Sequence, residues 1–132
     1  MEIQVIHSPD APQSVAAYSQ AVRAGDFIFC SGQWGVDPKT GRLVEGGIRE
    51  QTAQVLRNIG TILESAGCNL RCVVKVTVFL HDWKHFNEMN EVFAEFFPEN
   101  PPARSTVRGE RWPEGSLVAM EAIALAKSDR SS

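Results

Sequence analysis

One carboxylate lies in the middle of the last apolar segment of the chain: Glu121, in SLVAMEAIALA at residues 116–126. A carboxylate that leaves water without a donor or a cation is strongly destabilising. Glu121 therefore has two interpretations. It faces solvent or pairs with an arginine for structural reasons, or it takes part in a reaction, for example by orienting a water molecule.

Arg104 is the second residue whose position suggests chemistry. It follows Pro101 and Pro102 in NPPARSTVR, so a stiff segment leads into the strand that Arg104 begins. Its planar guanidinium can bind a carboxylate through two parallel hydrogen bonds. That carboxylate is either Glu121, as a structural pair, or a substrate, which leaves Glu121 free to act on water; the residues alone leave both open.

Other polar residues stand at the edges of apolar segments. Tyr18 lies in AAYSQAV and Ser31 follows FIFC, whereas Asn90 lies on the polar side of a predicted helix and faces solvent by default. The sequence has no nucleophile elbow, zinc-protease motif, phosphate-binding loop or dinucleotide fingerprint. We therefore expect no cofactor and no metal, since the cysteines and histidines at 68, 72, 81 and 85 also lack the spacing of a standard zinc site.

Two segments have the apolar spacing of amphipathic helices. The first covers residues 48–66, ends before Gly67, and has its apolar positions at Ile48, Val55, Leu56, Ile59, Ile62, Leu63 and Ala66. The second follows Asp82, a residue type that caps helices, and its apolar positions are Phe86, Met89, Phe93, Phe96 and Phe97.

Strands are predicted on both sides of these helices. FIFCSG follows the turn signal AGD, a short strand lies next to DPKTG, and VVKVTVFL is rich in β-branched residues. ARSTVR and the Glu121 segment supply the last two strands. The predicted order is three strands, of which the third is short, then helix, strand, helix and two strands. This order indicates an α+β domain with both helices on one face of a largely antiparallel sheet.

The last strand is apolar on both of its faces. One alternating set is Leu117, Ala119, Ile123 and Leu125, and the other is Val118, Met120, Ala122 and Ala124. Two helices on one side leave the second face of the sheet uncovered. The pattern therefore predicts a homo-oligomer that packs through the sheet.

Composition limits the class of protein. The 132 residues, 43% of them hydrophobic, predict a single domain over 1–132 with a flexible polar tail at 127–132. A net charge of −3 without a basic stripe argues against nucleic-acid binding. The sequence has neither a membrane-spanning run nor a signal-peptide start, which favours a cytoplasmic protein without membrane contact. The cysteines at 30, 68 and 72 are odd in number, and we expect them to be small apolar residues without a disulfide framework.

The ordered motifs resemble one known family. AAYSQAV, FCSGQ, DPKTG, EQTAQVLRNI, VVKVTVFLHD, NEVFAEFF, PPARSTV and MEAIA occur in the order that is typical of the RidA (YjgF-like) enamine/imine deaminases, over about residues 11–126. The resemblance implies a chorismate-mutase-like fold and a homotrimer with a central β-barrel. It also implies three ligand sites in the clefts between subunits.

The resemblance also implies residue roles. The residue that matches Arg104 grips the substrate carboxylate, and the one that matches Glu121 positions or activates water. Those that match Tyr18, Ser31 and Asn90 line the pocket. The implied reaction hydrolyses 2-imino acids, formed from enamines such as 2-aminoacrylate or 2-aminocrotonate, to 2-keto acids and ammonia. The alternatives are a pathway-specific deaminase of the aminomuconate or aminoacrylate type, or a trimer that only binds a ligand.

Six residues, at four places in the chain, depart from the family pattern. Ala16-Ala17 stand where Gly-Pro is usual, and Trp34-Gly35 stand where a smaller aliphatic residue and a proline are common. Thr106 replaces a frequent cysteine, and Trp112 places a bulky ring before the last turn. We expect these departures to change the shape of the pocket more than the reaction.

Overall fold

The strands form a mixed sheet with helices on one side. A computed structural model describes residues 2–110 and 113–126, so the predicted tail at 127–132 and Trp112 lie outside the described residues. The elements are β1 (Ile3–Ile6), β2 (Ala21–Ala24), β3 (Phe27–Trp34), β4 (Val36–Asp37), β5 (Arg42–Leu43), α1 (Ile48–Glu64), β6 (Val73–Leu80), α2 (Phe86–Phe96), β7 (Ala103–Arg108) and β8 (Val118–Leu125).

The main sheet has six strands in the order β1-β2-β3-β8-β6-β7, and β4 pairs with β5 in a separate hairpin. Every pair in the main sheet is antiparallel except β6 and β7. These two strands are parallel because α2 connects them as a crossover. The α+β prediction, with a mostly antiparallel sheet and both helices on one face, is confirmed. No helix in the described ranges is long and apolar enough to cross a membrane.

The core lies between the helices and one face of the sheet. Alternate residues of β3, β6 and β8 point into it, and Ile28, Val78 and Met120 are completely buried there. The apolar stripe of α1 contributes residues such as Leu56 and Ile62, which are also completely buried. Burial of this kind supplies most of the stability of a helix of this length.

The N-terminal part contains more strands than the sequence predicted. Five strands precede α1 rather than three. β1 and β2 have only four residues each, and Ile3 and Val5 in β1 remain mostly exposed. Their pairing, Ile3 with Ala24 through Ile6 with Ala21, is a non-local feature that the local pattern does not reveal.

The ends of the helices differ slightly from the prediction. The predicted helix over 48–66 ends at Glu64, and Gly67 adopts the left-handed conformation, φ 79°, that turns the chain away. The carboxylate of Asp82 accepts a hydrogen bond from the backbone N–H of Lys84 at 2.9 Å. It therefore caps the short 3₁₀ turn Trp83–His85, and α2 begins after that turn.

The expectation for the cysteines was wrong for one pair. Cys68 and Cys72 form a disulfide, with their Cα atoms 6.3 Å apart. The turn at Gly67 and the 3₁₀ turn Leu70–Cys72 fold the chain back, and this brings the two cysteines within bonding range. Cys30 is a buried free thiol, and burial raises its pKa to about 12.

Candidate functional site

Glu121 lies on the face of the sheet that the helices do not cover. Its neighbours along β8, Met120 and Ala122, are buried against the helices, whereas Glu121 is exposed. Successive side chains of a strand alternate between the two faces, so the apolar residues flanking Glu121 leave its carboxylate on the open side. Among the described residues, none forms a hydrogen bond or an ion pair with this carboxylate.

A β-bulge places Ser31 opposite Glu121. Cys30 pairs with Ala122 and Gln33 with Met120, so that Ser31 and Gly32 together face the single residue Glu121. Bulges of this kind bend a strand, and they are frequent beside active sites. On the other side of β8, Glu121 pairs with Thr77 of β6.

Ser31 connects the bulge to the loop that carries Tyr18. Its backbone N–H donates to the carbonyl of Gln20 at 2.9 Å, and its hydroxyl donates to the carbonyl of Ser19 at 2.6 Å. Tyr18 is 38% exposed and follows a tight turn at Ala16. The structure therefore brings the predicted residues Tyr18, Ser31 and Glu121 to one region of the sheet.

A cavity of about 410 Å³ adjoins this region. Its lining includes Val15, Tyr18, Gly32, Trp34, Val36 and Pro113. Trp34 pairs with Ala119 of β8, which stands two residues before Glu121. Two residues of a strand span about 7 Å, so the Trp34 wall lies close to the row that contains Glu121.

Arg104 belongs to a second group, at the edge strand β7. Its guanidinium donates to Oδ1 of Asn90 on α2 at 2.9 Å. The guanidinium carbon also lies 4.8 Å from the centre of the Phe93 ring and 5.6 Å from that of Phe86. Partial burial lowers the pKa of Arg104 from its ordinary value, but a guanidinium remains protonated in proteins.

An Arg104–Glu121 pair within one chain is excluded. Arg104 shares a row with the buried Val76, which pairs with Ala122, whereas Glu121 shares the next row with Thr77. Adjacent rows point to opposite faces of the sheet. No other carboxylate in the described part of the chain forms a salt bridge with Arg104.

The predicted site residues therefore form two separate groups. Tyr18 and Ser31 lie at β3 and beside it, Glu121 lies on β8, and Arg104 and Asn90 lie at β7 and α2. Between β3 and β7 stand β8 and β6, which separates the two strands by about 14 Å. A small substrate does not span that distance within one chain.

Phe86 and Phe93 belong to the candidate site, although the sequence did not reveal this. Their spacing predicts the apolar face of α2, which is correct, since Phe93 is 4% exposed. The available signal was weak, because an aromatic residue at helical spacing usually belongs to a core. Only the parallel pairing of β7 with β6 places Arg104 over these rings.

Comparisons of the whole chain with known proteins show its family and its relatives. The sequence model described as Endoribonuclease L-PSP matches residues 8–126. A RutC family protein of Pyrococcus horikoshii is 51% identical over 92% of this chain and 96% of its own length. Human 2-iminobutanoate/2-iminopropanoate deaminase is 43% identical over 92% of this chain and 89% of its own length.

A solved structure extends the comparison to the fold. The crystal structure of Escherichia coli TdcF with bound serine is 34% identical and has a TM-score of 0.87. The match covers 92% of this chain and 98% of that one. The motifs, the fold and the matches over nearly the whole chain together show that this protein belongs to the Endoribonuclease L-PSP family, which includes RidA and YjgF.

Proposed function

We propose that this protein hydrolyses 2-imino acids, such as those formed from 2-aminoacrylate and 2-aminocrotonate, to 2-keto acids and ammonia. The observation that carries the proposal is the state of Arg104. Its charged guanidinium is held by Asn90, Phe86 and Phe93, yet no carboxylate of the described residues neutralises it. A substrate carboxylate is the natural partner for such a group.

In this mechanism Arg104 binds the substrate carboxylate and orients the imine carbon. The carboxylate of Glu121 accepts a proton from water while the water oxygen forms a bond with the carbon of the protonated imine, and the electron pair of the C=N π bond moves to nitrogen. The proton then passes to the nitrogen of the tetrahedral adduct, the carbon–nitrogen bond breaks, and ammonia leaves with the electron pair. Glu121, ionised again after that transfer, accepts the proton of the adduct's hydroxyl group as the carbonyl of the 2-keto acid forms, and this proton then passes to the released ammonia.

The proposal includes a homotrimer with sites between subunits. Arg104 and Glu121 lie on opposite faces of one sheet, so a second copy has to contribute one of the two groups. The open face supports this part of the proposal, because Phe27 and Phe29 are 42% and 43% exposed there. An apolar sheet face of this kind favours self-association around a central barrel.

The relatives support a deaminase, and they also bear on two alternative functions. Human 2-iminobutanoate/2-iminopropanoate deaminase matches over nearly the whole chain. A deaminase that serves one particular pathway with the same chemistry is the second candidate, and the greater identity to a RutC family protein is compatible with it. The serine in the TdcF structure supports the third possibility, a protein that binds a small amino-acid-like ligand without turnover.

The decisive experiment couples the purified protein to a pyridoxal-phosphate-dependent serine or threonine dehydratase. The release of pyruvate or 2-ketobutyrate is timed for wild type, Arg104→Ala, Arg104→Lys and Arg108→Ala. We expect Arg104→Ala to lose about a hundredfold or more in kcat/KM, because binding and orientation are both lost. Arg104→Lys should also be poor, since an ammonium lacks the planar fork.

Arg108→Ala is the matched control. Arg108 is an exposed arginine on the same strand, and among the described residues its side chain donates only to the carbonyl of His81. We expect this variant to keep the wild-type rate. Full activity in Arg104→Ala would refute the proposed mechanism, whereas no acceleration by a folded wild type that still binds 2-ketobutyrate would favour the ligand-binding alternative.

Glu121→Gln tests whether the carboxylate of Glu121 accepts the proton from water. An amide of nearly the same shape cannot accept the proton from water, so kcat should fall by about a hundredfold while KM changes little. An unchanged kcat would remove Glu121 from the mechanism.

A further inference from the structure

The cavity beside Tyr18 is apolar and of the size of a ligand site. Its volume of about 410 Å³ falls within the usual range for small-molecule pockets. Its lining includes Val15, Tyr18, Trp34 and Pro113, and none of the described residues that line it carries a charge. Such a cavity favours an apolar occupant.

One wall of the cavity is fixed from behind by Asn58 of α1. Its side-chain amide donates to the carbonyl of Trp34 at 3.1 Å and to that of Val36 at 2.8 Å. Its own oxygen accepts a hydrogen bond from Gln54 at 2.8 Å. Asn58 is 1% exposed, so these bonds are partly sheltered from water and hold the backbone on both sides of Gly35.

The opposite wall is fixed by Gln51 of the same helix. The side chain of Gln51 donates to the carbonyl of Gly115 at 3.0 Å and accepts from the N–H of Leu117 at 2.8 Å. The loop at Pro113 is closed by a bond from the N–H of Ser116 to the Pro113 carbonyl at 2.8 Å. Both walls therefore depend on α1, and the cavity is formed before any ligand arrives.

The position of the cavity connects it to the reaction. Gly32 lines it and belongs to the bulge that faces Glu121. Trp34 lies on the same sheet face as Glu121, about 7 Å along β8. An imino acid whose reacting carbon lies near Glu121 can thus direct its side chain toward Trp34.

We propose that this cavity is the subsite for the substrate side chain, and that it makes the protein prefer 2-imino acids with branched or longer apolar side chains over 2-iminopropanoate. Trp34 and Tyr18 are the residues that determine this specificity. The inference rests on the proposed function and names the substrate class of the same site.

The test compares two substrates in one assay. D-Amino-acid oxidase generates 2-iminopropanoate from D-alanine and 2-imino-4-methylpentanoate from D-leucine, and semicarbazide traps whatever imine the protein has not hydrolysed. We expect kcat/KM for the leucine-derived imine to exceed that for the alanine-derived imine by about tenfold or more. In Trp34→Ala this ratio should fall by at least about threefold, whereas Trp34→Phe, which keeps an aromatic wall, should largely retain it.

Trp83→Ala is the matched control for removal of an indole. Trp83 is 50% exposed and packs on Phe86 at a ring distance of 6.0 Å, so it is away from the cavity but close to the Arg104 group. A change there can alter the rate with both substrates, but it should leave their ratio unchanged.

A binding measurement separates failure of this inference from failure of the proposed function. Titration calorimetry with pyruvate and 4-methyl-2-oxopentanoate should show tighter binding of the larger keto acid, and Trp34→Ala should abolish the difference. Hydrolysis of both imines without preference would overturn the subsite and leave the proposed function intact. Absence of hydrolysis together with selective keto-acid binding would refute the proposed function and retain the cavity as a binding site. If the protein shows no preference in turnover and no preference in binding, the inference is overturned outright.

Discussion

At the scale of single residues, partial burial has different consequences for different side chains. Partial burial of Arg104 is tolerated because the flat guanidinium packs on Phe93 and Phe86 while one of its edges donates to Asn90. A lysine has no flat face and cannot make these contacts together. The residue type therefore explains how the charge is held in place without a carboxylate of its own.

Cys30 shows the opposite case, an acidic group that burial keeps neutral. Its pKa is about 12, compared with an ordinary value of 9.0. In the unfolded chain the thiol ionises from pH 9.0 upward, whereas the folded chain retains the proton. The stability that the buried neutral thiol contributes is therefore fully present below pH 9.0 and is lost as the pH rises toward 12.

The prediction compares wild type with Cys30→Ala in urea unfolding at several pH values. Above pH 9.0 the free energy of unfolding of wild type should decline more steeply than that of the variant. The extra slope should approach about 1.4 kcal/mol per pH unit. Parallel curves for the two proteins would contradict the assigned burial of this thiol.

At the scale of elements, α1 does more than cover the sheet. Its outer polar residues face solvent, but Gln51 and Asn58 are buried and bind the backbone of β3, β4 and the segment before β8. Buried amides of this kind are costly to lose, because water replaces them poorly at the partly buried carbonyls that they satisfy.

Asn58→Ala should destabilise the protein by about 2–3 kcal/mol, since two partly buried carbonyls and the amide of Gln54 lose their partner. Urea denaturation with a constant m-value measures the change. Thr61→Ala is the control on the same helix, because its hydroxyl bonds only to the Arg57 carbonyl at an exposed position. It should cost less than about 0.5 kcal/mol. Equal losses of stability in the two variants would show that the hydrogen bonds of Asn58 do not stabilise the strands that it contacts.

Replacement by alanine should have opposite effects at two glycines, Gly35, which packs against α1, and Gly60, which lies within it. A Cβ at Gly35 would lie 2.9 Å from Cα of Gln51, too close for any side chain, so Gly35→Ala should destabilise by about 1–3 kcal/mol. A Cβ at Gly60, within α1, would meet Leu70 at 3.5 Å, an ordinary contact. Gly60→Ala should therefore stabilise by about 0.5–1 kcal/mol. Thermal unfolding of both variants shows whether each change stabilises or destabilises the protein. If both changes shift the stability in the same direction, the packing of β3 against α1 is contradicted.

At the scale of the whole molecule, the open face of the sheet favours assembly of several copies of the chain. One face packs on α1 and α2, while the other presents Ile3, Val5, Phe27 and Phe29 to solvent in a single copy. The two groups of site residues also remain apart in one copy. Assembly would cover the apolar face and complete the site together.

Phe29→Glu tests this coupling. Phe29 is 43% exposed in one copy, so the charge is tolerated in the monomer but is destabilising between packed sheets. Sedimentation velocity should show a trimer for wild type and a folded monomer for the variant, with deaminase activity lost. Trp83→Glu, at an exposed position on the helix side, should leave the assembly unchanged. A trimeric and active Phe29→Glu protein would place the interface elsewhere.

The amino-acid sequence by itself determined the parts that depend on neighbours along the chain. The bounds of β6 and β7, the start of α1 and the alternation in β8 follow from spacings of four or two residues. The ordered motifs also identified the family and its candidate residues, including Arg104 and Glu121.

Only the tertiary structure decided what depends on register between distant strands. The bulge that sets Ser31 and Gly32 opposite Glu121, the rows that place Arg104 and Glu121 on opposite faces, and the addition of β1 and β2 to the sheet are all pairings of this kind. A shift of one residue in a strand moves every side chain to the other face, and local periodicity carries no information about such a shift. For that reason the sequence left the Arg104–Glu121 pair open, and the fold excluded it within one chain.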